Sequence, residues 1–138
     1  MKIALLKLAI TPSFQDGRIL TLLESRDQQK KTYLLRHEEV ALRSAEQRSV
    51  GQHFSFSEDI RVTNEKAENI LQILKHASIS VVPEYGLGLD GTSYELTVSS
   101  GLNEGHYRWW ETIPEGWEQL AEVSDALLRL VDKPAIPS

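Results

Sequence analysis

The pattern of apolar and polar positions predicts three strands in the first 36 residues. The three segments are residues 2–10, 18–24 and 32–36. Pro12 and Gly17 separate the first segment from the second, because proline and glycine interrupt the pairing of strands. The polar run 25–31 separates the second segment from the third, and it predicts the solvated tip of a hairpin.

Residues 37–59 have the weakest pattern in the chain. Val40, Ala41 and Ala45 indicate a short helix, because their spacing is compatible with one helical face. The alternation of aromatic and polar residues from His53 to Phe56 indicates a strand.

Residues 64–77 predict an amphipathic helix. Apolar residues recur there at spacings of three and four, which places them on one helical face: Ala67, Ile70, Leu71, Leu74 and Ala77. Thr63 or Asn64 can cap the first turn by accepting a backbone N–H. Residues 79–82 are rich in β-branched side chains and predict a strand, and Pro83 indicates that this strand ends there or lies at an edge of the sheet.

Residues 115–132 predict a second amphipathic helix, which Pro134 stops. The apolar positions with helical spacing are Trp117, Leu120, Ala121, Leu127, Leu128 and Val131. Together with the strands, the two helices predict a single α+β domain over residues 1–138. In this fold class a mainly antiparallel sheet packs against two amphipathic helices, as a single pair of layers.

Two alternating segments between Thr92 and Trp110 predict an aromatic hairpin. One register places the aromatic and aliphatic side chains on the same face, with Tyr94 opposite Trp109 and Leu96 opposite Tyr107. The same register pairs the polar side chains on the other face, with Glu95 opposite Arg108 and Thr97 opposite His106. Residues 100–103 then form the turn.

Adjacent strand residues point to opposite faces, so Trp109 and Trp110 cannot enter the same core layer. We predict that Trp109 lies in or near the core, together with Tyr94, Leu96, Tyr107, Trp117, Leu120 and Leu127. Trp110 has two interpretations: it packs under a helix or loop, or it belongs to a partly exposed binding patch. Because arginine and tryptophan are enriched at binding hot spots, the candidate binding residues are Trp110, Arg108, His106 and Glu95.

The composition narrows the function classes. With 138 residues, 41% apolar and 25% charged, the chain has the composition of one globular domain. The lack of cysteine excludes disulfides, thiol nucleophiles and zinc sites with thiolate ligands; a reducing compartment fits, so we expect a cytoplasmic protein. No apolar run approaches the roughly 20 residues needed to cross a bilayer, so we expect no membrane span.

The charge of the chain bears on its partners. Fifteen basic and twenty acidic side chains give a formal charge of −5. A negative chain repels a phosphate backbone, so we expect no nucleic-acid partner. The same charge favours a basic protein partner. The oligomeric state is left open.

We predict no cofactor and no metal. Residues 86–91 match the spacing G-x-G-x-x-G, but the segment that follows predicts a strand, whereas a dinucleotide site needs a helix there. The histidines lack the short spacings of metal ligands: His37, His53, His76 and His106. Two arrangements keep a hydrolase open, a carboxylate pair among Glu84, Asp90, Glu95 and Glu111 or a trio of His106, Glu95 and Glu104.

The last 60 or so residues resemble a group of known proteins. The segment 79–84 leads into Asp90–Tyr94, and Tyr107–Trp110, Pro114 and Trp117 then precede a terminal helix. This layout resembles small bacterial α+β proteins of unknown function, some of which are regarded as immunity proteins of toxin systems. The resemblance implies a fold, and no functional residue is carried over from it.

These observations favour a non-catalytic, acidic protein-binding module, an immunity-type inhibitor that covers the surface of a toxin partner. The alternative is a small-ligand or carbohydrate-binding protein, or a minor hydrolase, that uses the polar face of the 92–110 hairpin. An open face fits the first hypothesis, and a deep pocket lined by the candidate residues fits the second.

Overall fold

The computed structural model describes residues 2–41, 54–83 and 91–132. In these ranges the chain is an α+β protein with six strands and two helices. The strands are β1 (Lys2–Pro12), β2 (Gly17–Asp27), β3 (Lys30–Val40), β4 (Phe54–Val62), β5 (Thr92–Ser100) and β6 (Asn103–Trp110). Helix α1 (Asn64–Lys75) lies between β4 and β5, and helix α2 (Glu118–Val131) follows β6.

The strands form one antiparallel sheet in the order β4-β3-β2-β1-β5-β6. The first four strands follow each other as neighbours, and the chain then crosses from β4, at one edge, to β5 beside β1. The hairpin of β5 and β6 thereby extends the sheet on the far side of β1. Strands β2 and β1 are central, and β4 and β6 are the edges.

The two faces of the sheet differ in character. The core face carries Leu6, Leu8, Leu20, Leu22, Tyr33, Leu35, Leu96 and Trp109, which belong to one buried cluster. Side chains of both helices belong to the same cluster, among them Ala67, Ile70, Leu120, Val123 and Leu127. The opposite face, termed the polar face below, carries Lys7, Thr21, Arg36, Asp59, Glu95, Thr97, His106 and Arg108.

A local hydrogen bond marks the start of each helix. The Thr63 hydroxyl accepts the N–H of Lys66 at 3.3 Å, which confirms the predicted cap of α1. Helix α2 begins at Glu118, later than the predicted residue 115, because a turn precedes it in which the N–H of Trp117 donates to Pro114 O at 3.0 Å. Neither helix in the described ranges is long and apolar enough to cross a membrane.

The predicted core is confirmed. Five of the seven predicted residues are buried: Leu96, Trp109, Trp117, Leu120 and Leu127. The other two, Tyr94 and Tyr107, are partly buried and pack against the cluster.

The predicted strand at residues 79–82 is wrong. Val81 and Val82 are 92% and 85% exposed, and no ladder includes them. Ser80 instead donates its N–H to Gly116 O at 3.2 Å, and its carbonyl accepts the indole N–H of Trp117 at 2.7 Å. The β-branched composition favoured a strand, but the turn ahead of α2 uses the backbone groups that a ladder would need.

The predicted hairpin with a solvated tip is confirmed, but its turn is shorter than the polar run 25–31. Strand β2 continues to Asp27 and β3 begins at Lys30, so the turn consists of Gln28 and Gln29 alone. Their φ angles are 49° and 66°. Two positive φ angles in a two-residue turn are the signature of type I′, whose twist matches that of the flanking strands.

The weak segment after residue 36 also differs from its prediction. Residues 37–40 continue β3 rather than starting a helix, and Val40 pairs with Phe54. Ala45 and His53 lie outside the described residues. The predicted strand at 53–56 is confirmed from Phe54 onward, and β4 extends it to Val62.

Candidate functional site

Strands β5 and β6 pair in the predicted register. Tyr94 is opposite Trp109, Leu96 opposite Tyr107, Glu95 opposite Arg108, and Thr97 opposite His106. On the core face the rings of Tyr94 and Trp109 stack with their centroids 5.4 Å apart. At the turn, Gly101 has a φ of 62° and Leu102 does not have a positive φ, as expected for a type II′ hairpin turn.

The predicted binding residues lie together on the polar face at this end of the sheet. Arg108 Nε donates to Glu95 Oε2 at 3.1 Å. His106 Nδ1 lies 3.1 Å from Thr97 Oγ1, and its Nε2 lies 3.7 Å from Glu104 Oε1. The side chains of Arg108 and Glu95 are 78% and 41% exposed, so solvent screens the ion pair. These contacts orient the polar side chains and leave them accessible.

Trp110 lies at the end of β6 on the same face, opposite Ser93. A Cβ atom added to Gly91 would lie 2.8 Å from Trp110 Cζ2, so the indole ring packs directly over this glycine. Trp110 is half-buried and does not belong to the core cluster of the described residues. The structure therefore gives it a packing partner and leaves part of its ring accessible.

Glu111 has a structural contact just beyond β6. Its N–H donates to Thr92 O at 2.8 Å, and its carboxylate accepts the N–H of Thr92 at 2.7 Å. The carboxylate pairs considered for a hydrolase also involve Glu84 and Asp90, which lie outside the described residues. Of the G-x-G-x-x-G motif, only Gly91 lies within the described ranges.

A pocket of about 230 Å³ opens on the polar face between β1, β2, β5 and β6. Its lining residues are Lys7, Ala9, Thr11, Ile19, Ser93, Tyr94, Glu95, Thr97 and Arg108. Two predicted binding residues, Glu95 and Arg108, line it, and Trp110 and His106 do not. Lys7 could not be found from the hairpin pattern, because it reaches the site only through the pairing of β1 with β5.

A second pocket of about 350 Å³ lies near the other edge of the sheet, lined by Arg36, Glu38, Ser57, Glu58 and Asp59. Arg36 donates to both carboxylate oxygens of Asp59, at 2.9 and 3.3 Å. These hydrogen bonds hold the pKa of Asp59 below its usual range and raise the pKa of Arg36. The sequence did not predict this pair, because the extent and register of β4 were unknown.

A polar network on the core face includes His37, whose ring is buried, whereas the side chains of its partners Arg18, Glu58 and Asp132 are 28%, 43% and 58% exposed. His37 Nε2 accepts from Arg18 Nε at 3.3 Å, and His37 Nδ1 lies 3.3 Å from Glu58 Oε1. Because Arg18 needs a lone pair on Nε2, the proton of the ring is on Nδ1 and donates to Glu58. Arg18 also bonds Asp132 at 2.9 Å, so the network joins three strands to the end of α2.

The described residues contain no group of three or more His, Cys, Asp or Glu side chains that could hold a metal ion. Comparisons with protein-family models, with curated proteins and with solved structures find no match to this chain. The resemblance to small bacterial α+β proteins, immunity proteins among them, therefore stays a prediction from the sequence.

Proposed function

We propose that the chain is a protein-binding module that uses the polar face of its sheet. The observation that carries this proposal is a row of charged side chains across that face. The row runs from the Arg36–Asp59 pair near one edge, past Lys7, to the Glu95–Arg108 pair near the other edge.

The arrangement of the helices supports the same proposal. We infer that α1 and α2 form one layer over the core face, because side chains of both helices share its buried cluster. The sheet and this layer then make up the pair of layers predicted from the sequence. In this arrangement the polar face is the broad surface that remains for a partner.

The charge of the chain supports a basic partner. With a formal charge of −5, the module attracts a positively charged surface over long range, and charge complementarity accelerates association and excludes wrong partners. An immunity-type inhibitor, which works by covering the surface of a toxin, is the specific form of this proposal. It rests on the weak resemblance of the last 60 or so residues.

The pocket beside Lys7 favours a second candidate, a small-ligand or carbohydrate-binding protein or a minor hydrolase. Lys7, Glu95 and Arg108 give the pocket charges of both signs, and Thr11, Ser93 and Thr97 add hydroxyl groups. Its volume of about 230 Å³ lies below the range of roughly 300–1,000 Å³ of most small-molecule sites, which are also mainly apolar. This candidate therefore ranks second.

Two variants with the same change in net charge test the proposal. Glu95→Arg alters the polar face, whereas Glu122→Arg alters an exposed position on α2. We expect the wild-type chain and Glu122→Arg to capture the same basic protein from native cells. With that partner purified, Glu95→Arg should weaken binding at least about tenfold, which corresponds to about 1.4 kcal/mol.

The outcomes separate the candidates. Equal binding by both variants contradicts a role for the polar face. The inhibitor proposal is contradicted if no stable partner is captured and no neighbouring reading frame is toxin-like. Small molecules that shift the amide resonances of Lys7 and Thr97, with no protein captured, favour the second candidate.

A further inference from the structure

The pairing of β6 with β5 determines which backbone groups of β6 point to the free edge of the sheet. Ser100 and Asn103 close a two-residue turn, which makes them a hydrogen-bonded pair. Pairs alternate from there, so Asn103, Gly105, Tyr107 and Trp109 bond toward β5. Glu111 follows the same alternation, since its N–H donates to Thr92 O at 2.8 Å.

The intervening residues of β6 direct their N–H and C=O groups away from β5: Glu104, His106, Arg108 and Trp110. In the part of the chain that the structure describes, β6 has β5 as its one sheet neighbour. The same four residues carry their side chains on the polar face. A strand added at this edge would therefore form hydrogen bonds with the backbone groups of these four residues. It would also contact their side chains on the polar face.

We propose that two copies of the chain pair through β6, antiparallel, about a twofold axis at His106. This register opposes Glu104 of each copy with Arg108 of the other, and it opposes the two His106 side chains. The three opposed pairs add about six backbone hydrogen bonds. Opposite charges directly across an antiparallel pair stabilise it, and like charges destabilise it.

The same register gives a partner to an apolar side chain that lacks one in the single chain. Leu102 is fully exposed at the tip of the hairpin. Pairing about His106 brings the turn of each copy, which carries Leu102, next to the end of β6 of the other copy, where Trp110 is half-buried. The dimer therefore removes apolar surface from water at both ends of the new pair.

Other registers lose these matches. A shift by two residues in one direction opposes Glu104 with His106 and leaves Arg108 beside Leu102. The shift in the other direction opposes His106 with Arg108 and Glu104 with Trp110. Larger shifts oppose Glu104 with Glu104, or Arg108 with Arg108. Among these registers, only the one about His106 opposes Glu104 with Arg108 and also places Leu102 near Trp110.

The dimer uses the edge of the sheet and shares Arg108 with the proposed binding face, and Glu104→Arg breaks the dimer while it leaves Arg108 in place. Two six-stranded sheets joined at β6 would form one continuous sheet, and the polar face of each copy would continue into that of the other. A partner protein on the polar face could then contact both copies.

Charge variants test the pairing, with sedimentation or light scattering as the readout of mass. The wild-type chain should form a dimer. Glu104→Arg and Arg108→Glu should each be monomeric, since each variant opposes like charges twice in its own dimer. An equimolar mixture of the two variants should form a mixed dimer, because every opposed pair then regains opposite charges. Melting curves of the separate variants establish that each is folded.

A disulfide tests the register. The chain has no cysteine, so a single introduced cysteine can form a disulfide only between copies. His106→Cys should crosslink under mild oxidation, because directly opposed residues have Cα atoms about 5.5 Å apart, within disulfide range. Glu104→Cys is the matched control, because the side chains of His106 and Glu104 are 55% and 54% exposed. The two copies of residue 104 would lie about 14 Å apart in the dimer, too far for a disulfide.

A wild-type chain that is monomeric at every concentration, together with a His106→Cys variant that does not crosslink, overturns the proposal. Equal crosslinking of His106→Cys and Glu104→Cys overturns the register. A mixture of the charge variants that stays monomeric, although both are folded, contradicts the opposed Glu104–Arg108 pairs.

Discussion

The neighbours Trp109 and Trp110 have different environments because a strand sends adjacent side chains to opposite faces. Trp109 is 8% exposed, stacks on Tyr94 and meets the edge of Trp117 with ring centroids 6.5 Å apart. Trp110 packs over Gly91 and keeps part of its ring accessible. One residue therefore serves the core, and the other remains a candidate for binding.

Alanine variants should separate these two roles. Trp109→Ala should lower the free energy of unfolding by about 3–5 kcal/mol, as expected for a large ring removed from a core. Trp110→Ala should cost only about 1 kcal/mol and should weaken partner binding instead. Chemical denaturation at concentrations too low for dimer formation gives both values. If Trp110→Ala destabilises the fold as much as Trp109→Ala does, the ring is structural.

At the scale of the elements, the β2–β3 hairpin has an unusual turn. Its type I′ geometry needs two positive φ angles, which asparagine and glycine adopt readily and glutamine does not. Gln28 and Gln29 nevertheless occupy both positions. The long ladder on either side, from Gly17 opposite Val40 to Asp27 opposite Lys30, holds them there.

Replacing the turn should stabilise the protein. Gln28→Asn combined with Gln29→Gly removes the cost of two left-handed glutamines and should raise the free energy of unfolding by about 1 kcal/mol. Lys30→Gly is the control, because Lys30 is an ordinary strand residue and glycine there should destabilise by roughly 0.5–1 kcal/mol. No gain from the double variant would mean that the turn does not limit stability.

At the scale of the whole molecule, the sequence predicts the local features of the fold. Helix α1, most of α2 and the register of β5 on β6 follow from periodicity and from a short turn. The Glu95–Arg108 and Thr97–His106 pairs follow from that register. Each of these features depends on residues close together along the chain, where few alternative pairings compete.

The sheet order could not be predicted in the same way. The pairing of β1 with β5 joins segments far apart in the chain, and no local pattern specifies which strands meet. Lys7 and the Arg36–Asp59 pair were therefore missed, although they belong to the same face as the predicted residues. The composition of residues 79–82 also predicted a strand that does not form: Val81 and Val82 are exposed, and the N–H of Ser80 bonds the turn before α2.

Strand β2 is buried on both faces of the sheet. Leu20 and Leu22 lie in the core, and Ile19 and Leu23 are buried on the polar face. Amide protons in β2 should therefore exchange with solvent only when the whole molecule unfolds, whereas amides of the edge strand β4 exchange through local opening. Hydrogen-exchange mass spectrometry should find β2 the slowest strand, and a slower β4 would place the most stable unit of the fold at its edge.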